Sequence, residues 1–547
     1  MHKLRSITVG LGALALVAAA SAQFDGPAPL AWRSMQPTSV PPGGSPVTNG
    51  DDIYQSIGGR IYCLDRSTGN KRWQFPQVEA IPGVFRTSPV LSNGTLIGVG
   101  DNKIVYAIDP ATGNSKWSAN LPTGALGSPV VAGNLVVVAL SDNSLISFKV
   151  GDGSPGWSNP YKVFDGLTGT IAASGNNVVL FTGRQQMASL NTATQKLDWS
   201  QTFTQLAPNP SATVVGDTIY TNSGPYLIAL NAGNGMARWQ TATPLQLALS
   251  PVYSPTGILV TSQDGKLLII DPVSHKIVTK TPIDLGSLPN VKPTSVGNGK
   301  FIVPTSNGAI NLVDATTGDA QWSYILRPAA DAVASTTTTS SGPGGKGGGG
   351  FGGFGGQGPG GQNSGNKTQE KITFIQAAAP AVLVGETLLV PARDGSIFAF
   401  DRNLGVDLTP PKVEMLFPNA GDQVSGQPPL VLYFRLTDEA SGLNTKSLKV
   451  EVNGQPLDFT LNKDGTILVR FSQTGKNRPL ADGRKEIIVT AADWMGNEIR
   501  KPFALTIDNA LAPIVIPGSS TNGGKGGPNG PGGPGGGGIG GGGLGGG

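Results

Sequence analysis

The chain has 547 residues, with 39 Lys and Arg against 35 Asp and Glu, 80 Gly, eight Trp, two His and one Cys. That length accommodates more than one domain, and the near balance of charge excludes a nucleic-acid binder working through a concentrated basic surface. A lone Cys63 excludes an internal disulfide, and His2 and His275 leave little material for histidine chemistry.

Residues 1–22 read as a secretory signal: Lys3 and Arg5, an apolar run over 9–20, and the small-x-small site Ala20-Ser21-Ala22 before Gln23. The run is shorter than the roughly 20 apolar residues of a membrane span. No cysteine follows it to carry a bacterial lipid anchor. The sequence therefore predicts a periplasmic or secreted product with no transmembrane anchor in the mature chain. Cys63, inside the apolar stretch RIYCLD, is expected to be a buried strand residue and not a nucleophile.

From residue 65 a unit recurs. Its copies are DRSTGNKRW at 65–73, DPATGNSKW at 109–117, KVGDGSPGW at 149–157, NTATQKLDW at 191–199, NAGNGMARW at 231–239, DPVSHKIVT at 271–279 and DATTGDAQW at 314–322. An eighth, DRNLGVDLT, begins at 401, and the first seven starts are 40 to 44 residues apart. A period of that length marks a repeat fold. Before each copy stand two short apolar runs split by Asp, Asn, Ser or Gly, as in GETLLVPARDGSIFAFD at 385–401, the pattern of a hairpin. Each repeat is thus predicted to be a four-stranded propeller blade. Asp65, Asp109 and Asp314 are expected to accept backbone amides in the turn, and Gly69, Gly113 and Gly318 to supply a positive φ. Trp73, Trp117, Trp157, Trp199, Trp239 and Trp322 are expected to cover the seams between blades.

The sixth copy has Val278 near the tryptophan position, and the eighth has no tryptophan, yet Trp32 lies near the mature amino end. Residues 28–36 are therefore predicted to supply the outer strand of the last blade. The ring then has eight blades over 28–409, or seven if a terminal unit packs outside the circle. His275 is read as an exposed turn residue.

Residues 330–370 are a glycine-rich insertion between the seventh and eighth blades, and of residues 523–547, 18 are glycine. Both compositions predict disordered spacers. Between them, 410–510 carries six or seven short apolar runs at the spacing of a small sandwich, and 511–547 forms the tail. Two acidic turns, DEASG at 438–442 and DWMGNE at 493–498, offer oxygen ligands for calcium from Asp438, Glu439, Asp493 and Asn497. They lack the alternating acidic ladder of a strong calcium loop, so Asx-type turns are the simpler expectation.

The DxxTGxxxW copies, cleanest in DRSTGNKRW, DPATGNSKW and DATTGDAQW, resemble the repeat of pyrroloquinoline-quinone-like β-propellers over residues 50–405. Asp438 to Leu443 and Asp493 to Asn497 resemble the D-x-x-SGL and DxxGN motifs of a bacterial immunoglobulin-like module. The first resemblance implies two kinds of protein. Quinone-dependent dehydrogenases hold calcium and the quinone at the propeller axis with a catalytic aspartate and often a vicinal disulfide; scaffold relatives have no catalyst. This chain cannot form that disulfide, and its turn aspartates match the repeat and not the catalytic position. No G-x-S-x-G elbow, H-E-x-x-H helix or phosphate-binding glycine loop is present. The expected function is a non-catalytic scaffold that binds envelope proteins or polymers, with no cofactor. The alternative is a dehydrogenase dependent on pyrroloquinoline quinone and calcium.

Overall fold

The computed structural model describes residues 23–36, 40–207, 209–328, 374–462 and 465–514. The expected signal segment, the insertion at 330–370 and the tail beyond 514 lie outside them. The described residues hold strands and turns and no helix.

Residues 47–400 fold into propeller-type sheets. The first consists of Val47–Asn49, Asp52–Ile57, Arg60–Asp65 and Lys71–Phe75, paired antiparallel in chain order. Sheets of the same order follow at 90–120, 130–162, 172–202 and 213–242. The two middle strands of each are buried on both faces, so they read as continuous apolar runs. The outer strands, such as Ser115–Asn120, alternate between solvent and seam.

The sixth sheet has only Val252–Ser254, Gly257–Thr261 and Leu267–Ile270. Its outer segment touches the sheet through single bridges at Ile277 and Ile283. The sixth copy, without a tryptophan, is thus also without an outer strand, and Val278 is exposed. A seventh sheet spans 294–325. The eighth joins Val382–Val384, Thr387–Pro391 and Ser396–Phe400 to Leu30–Met35, which pairs antiparallel with Ser396–Phe400. Eight propeller-type sheets are therefore present among the described residues.

Apolar clusters link each sheet to its successor. Val136, Val138 and Phe148 meet Ile97 and Val105; Val178 and Leu190 meet Val137 and Leu145; the pattern continues to the seventh and eighth sheets, where Ile310 and Trp322 meet Phe398 and Phe400. A further cluster sets Leu389, Ile397 and Ala399 of the eighth sheet against Ile53, Tyr62 and Leu64 of the first. Every sheet face is covered by a neighbour. A sheet edge that the amino end did not supply would be the one left open.

Residues 412–507 form two further sheets around one core. Lys412–Phe417, Val431–Thr437, Thr466–Arg470 and Thr460–Leu461 make the first; Gln423–Val424, Glu498–Ile507, Gly483–Asp493, Leu443–Val452 and Gln455–Pro456 make the second. Leu432, Phe434, Ile467 and Val469 face Val450, Ile487, Val489 and Leu505 across it. This two-layer unit is docked on the outer edge of the seventh and eighth sheets. Trp322 Nε1 donates to Ser441 O at 2.9 Å, Trp494 Nε1 to Ser323 O at 3.0 Å, Tyr324 OH to Glu439 O at 2.8 Å and Leu30 N to Ala440 O at 2.6 Å.

Candidate functional site

The recurring turn is built the same way wherever the motif is intact. Asp65 Oδ1 accepts the amides of Ser67 and Thr68, Asp109 Oδ1 those of Ala111 and Thr112, and Asp314 Oδ1 those of Thr316 and Thr317. Hydrogen bonds from Ser67 and Arg72 hold the Asp65 carboxyl well below the usual carboxylate range. Gly69, Gly113 and Gly318 each donate back to the aspartate carbonyl at 2.8 Å from a left-handed conformation, φ +69°, +73° and +74°.

Each tryptophan serves the turn of the next sheet. The Trp73 ring lies so close over Gly113 that a Cβ there would meet Cδ2 at 2.7 Å, and Trp73 Nε1 donates to Pro110 O at 3.1 Å. Trp117 covers Gly153 and donates to Val150 O, and Trp199 covers Gly235 and donates to Ala232 O. Trp157 donates to Thr192 O, while Trp32 covers Gly69 and donates to Arg66 O. At the sixth turn the glycine position is His275, at φ +60°. The expectation of a simple exposed residue there gives way to a stacked one: the imidazole lies 4.4 Å from the Trp239 ring at an interplanar angle of 17°. Gly318 faces Ile283 and Thr279, because the sixth sheet has no ring to offer. Trp322 departs from the rule. Packed against Phe24 and Phe400, it sends its N–H to the two-layer unit and not to the turn at 401–405.

Cys63 is fully buried, and burial together with Asp52 pushes its thiol up to about 12. That environment keeps it protonated, as a strand residue and not a nucleophile.

Connections from the outer edge of one sheet to the innermost strand of the next all emerge at one end of the strands. Four of these, at 76–89, 121–129, 163–171 and 284–293, each present an apolar side chain to water: Val78, Leu126, Phe164 and Leu288. Phe164 is 97 % exposed and Val78 85 %. The loops themselves are held. Phe85 bridges Gly100, Ala125 bridges Leu140, Leu167 bridges Thr182 and Pro289 bridges Thr305. Asp101 Oδ1 accepts the Val84 amide at 2.7 Å, and Asn143 Oδ1 the Leu167 amide at 3.0 Å. Apolar tips on an ordered base lose little entropy when covered. None of these four residues stood out in the sequence as a contact. The available signal was an aromatic standing outside any strand period, in VFDGLTG at 163–169.

The acidic turns meet where the two-layer unit docks. Asp438 Oδ1 accepts the amides of Ala440, Ser441 and Gly442, and Asp493 Oδ1 those of Met495 and Asn497. Both are Asx-type turns. Asn497 Nδ2 donates to Asp493 Oδ2 at 2.6 Å and to Asp407 O at 3.2 Å. Glu439 is exposed and contributes its backbone carbonyl to Tyr324, not its carboxylate to the group. The residue that joins Asp438 and Asp493 is Asp407, from the segment linking the eighth sheet to the two-layer unit; one oxygen of each of the three lies within 4.8 Å of the others. Burial pushes the Asp438 carboxyl up, and Asp407 and Asp493 add to it, against the pull of the Gly442 and Ser441 amides.

A family model described as outer membrane protein assembly factor BamB matches residues 57–162 and 157–285. The curated BamB of Moranella endobia (strain PCIT) is 25 % identical over 271 residues, 46 % of this chain and 67 % of that protein. Residues 57–285 are thus similar to the BamB-like β-propellers. Among solved structures, BamB from Moraxella catarrhalis shares 12 % identity at a TM-score of 0.48, covering 68 % of this chain and 97 % of that one. Saccharomyces cerevisiae Sqt1 shares 10 % at 0.47, covering 69 % and 99 %. The BamB model ends at residue 285, within the outer segment of the sixth sheet, so the seventh and eighth sheets and the two-layer unit lie outside it. Among the described residues no helix is long and apolar enough to cross a membrane.

Proposed function

We propose that this protein is a non-catalytic, extracytoplasmic bacterial scaffold that makes protein–protein contacts at the cell envelope, using the loop end that carries Phe164. The observation that carries the reading is that side chain: a phenylalanine 97 % exposed on a bridged loop, beside three further loops with one exposed apolar tip each. Aromatic anchors of this kind dominate binding energy where a partner's pocket covers them. The homology to BamB, a protein named as an assembly factor, supports the non-catalytic reading over the quinone dehydrogenase.

The same reading takes the eight sheets as an eight-bladed propeller over 28–409 and residues 410–510 as an immunoglobulin-like sandwich. The sheet-to-sheet clusters and the pairing of Leu30–Met35 support the first, and the single core between two sheets supports the second. The sandwich adds a second contact surface at a fixed distance and so raises effective concentration for a bound partner.

The test is a photoreactive residue placed, one at a time, at Phe164 and Val78 and, for the opposite end of the strands, at Val273 and Met236, in the producing bacterium. Discrete protein adducts at Phe164 and Val78 with few at Val273 and Met236 are expected. Equal labelling of both ends, or none at Phe164 in folded protein, would overturn the assignment of the contact face.

A further inference from the structure

The three carboxylates at the junction are arranged as a cation site. Asp407 is only 8 % exposed and Asp493 1 %, and Asp438 is half-buried. None of the ion pairs among the described residues involves Asp407, Asp438 or Asp493. The oxygens divide into used and free. Asp407 Oδ1 takes the Thr409 amide at 3.1 Å, Asp438 Oδ1 three amides and Asp493 Oδ1 two. Asp407 Oδ2 is buried and has no hydrogen-bond partner, and neither has Ser441 Oγ on the Asp438 turn. A buried, unpaired carboxylate oxygen next to two further carboxylates is expensive unless something positive meets it.

The amide bonds fix one oxygen of each aspartate to its own turn; of the others, Asp493 Oδ2 accepts Asn497 Nδ2 and Asp407 Oδ2 is left unpartnered. Three acidic oxygens converge with no nitrogen or sulfur ligand among them, which suits a hard cation. One oxygen of each of the three lies close enough to the others for all three to reach a single ion, and calcium accepts carboxylate oxygens in flexible geometry where magnesium demands a near-ideal octahedron.

We propose that Asp407, Asp438 and Asp493 bind one calcium-class divalent cation, which ties the link after the eighth sheet to both acidic turns of the sandwich and so fixes how the two units are held together. The inference does not depend on the scaffold reading; a failure of either leaves the other standing.

Trp494 follows Asp493 in the chain and Trp322 donates to Ser441 O on the Asp438 turn, which makes the site readable in the intact protein. Terbium added to the metal-free mature protein should luminesce through those rings at one ion per chain and be displaced by calcium. Calcium, and magnesium far less, should raise the thermal midpoint. Asp407→Asn should weaken terbium and calcium binding by at least about tenfold, and Glu439→Gln, on the exposed neighbour, should leave both unchanged. An adventitious surface site would instead survive Asp407→Asn, and that result overturns the proposal. So does folded wild-type protein with no calcium-dependent midpoint shift, a readout that stands even if the Asn variant does not fold. If the group is relieved by a shared proton, Asp407→Asn stabilises the protein and calcium does nothing, which also overturns it.

Discussion

A tryptophan over a glycine is a demanding contact, because the ring occupies the space where any other residue would have its Cβ. Gly113 and Gly94 separate the two reasons for glycine. Both have positive φ, +73° and +65°, but a Cβ at Gly94 meets nothing within 4 Å, whereas at Gly113 it meets the Trp73 ring at 2.7 Å. Gly94→Ala should therefore cost about 1 kcal/mol, for the backbone conformation alone. Gly113→Ala should cost about 3 kcal/mol, since the ring must also move and loses its seam packing. Denaturant midpoints at unchanged m-value measure both; equal shifts would remove the ring contact from the account. His275 shows the complementary solution. There a side chain accepts the left-handed backbone and is itself the surface on which Trp239 stacks.

Single strands decide whether the sheets stay covered. Leu30–Met35 gives the eighth sheet its outer strand, places Trp32 on Gly69 and sets Arg33 against Asp394 and over the Phe398 ring. Removing residues 23–36 exposes the Ser396–Phe400 edge and uncovers the Gly69 turn. The expected outcome is a concentration-dependent dimer or aggregate in light scattering and a lower thermal midpoint; an unchanged monomer with an unchanged midpoint would contradict it. This strand was legible in the sequence because Trp32 stood alone at one end of the chain and a copy lacked its tryptophan at the other. The loop tips were not, because Val78, Leu126 and Leu288 lie in polar connections with no period to betray them. Asp407 escaped for another reason: within DRNLGVDLT it reads as part of a degenerate repeat, and only the docked arrangement brings it to Asp438 and Asp493. Asp438 and Asp493 were readable as turns from their Asx chemistry, yet one sequence cannot say that two turns some 55 residues apart face each other.

At the level of the whole molecule, the two-layer unit is coupled to the propeller-type sheets by directional bonds. Tyr324 and Trp494 each donate one hydrogen bond across the junction, to Glu439 O and Ser323 O. Tyr324→Phe combined with Trp494→Phe keeps an aromatic ring at each position and removes both bonds, each worth about 1 kcal/mol. Calorimetry of the double variant should resolve two transitions, one per unit, where the wild type shows a single coupled one. A single unshifted transition in the variant would mean that the remaining contacts suffice, chiefly those of Trp322, whose ring is wholly buried at the junction and whose N–H still donates to Ser441 O.

The forward reach of the tryptophans has a consequence for ancestry. A ring and the turn it fits belong to different copies of the repeat, so the segment that was duplicated and the segment that must fit are out of phase. A change at a turn is therefore answered not within its own copy but in the copy before it: His275 belongs to the sixth and is met by Trp239 of the fifth, while Gly318 of the seventh is met by Ile283 and Thr279 of the sixth. At the ends of the chain the rule becomes circular, with Trp32 preceding in sequence the turn it serves and following it in the ring. Exchanging two whole copies would keep every motif intact and still misfit the seams on both sides of each graft.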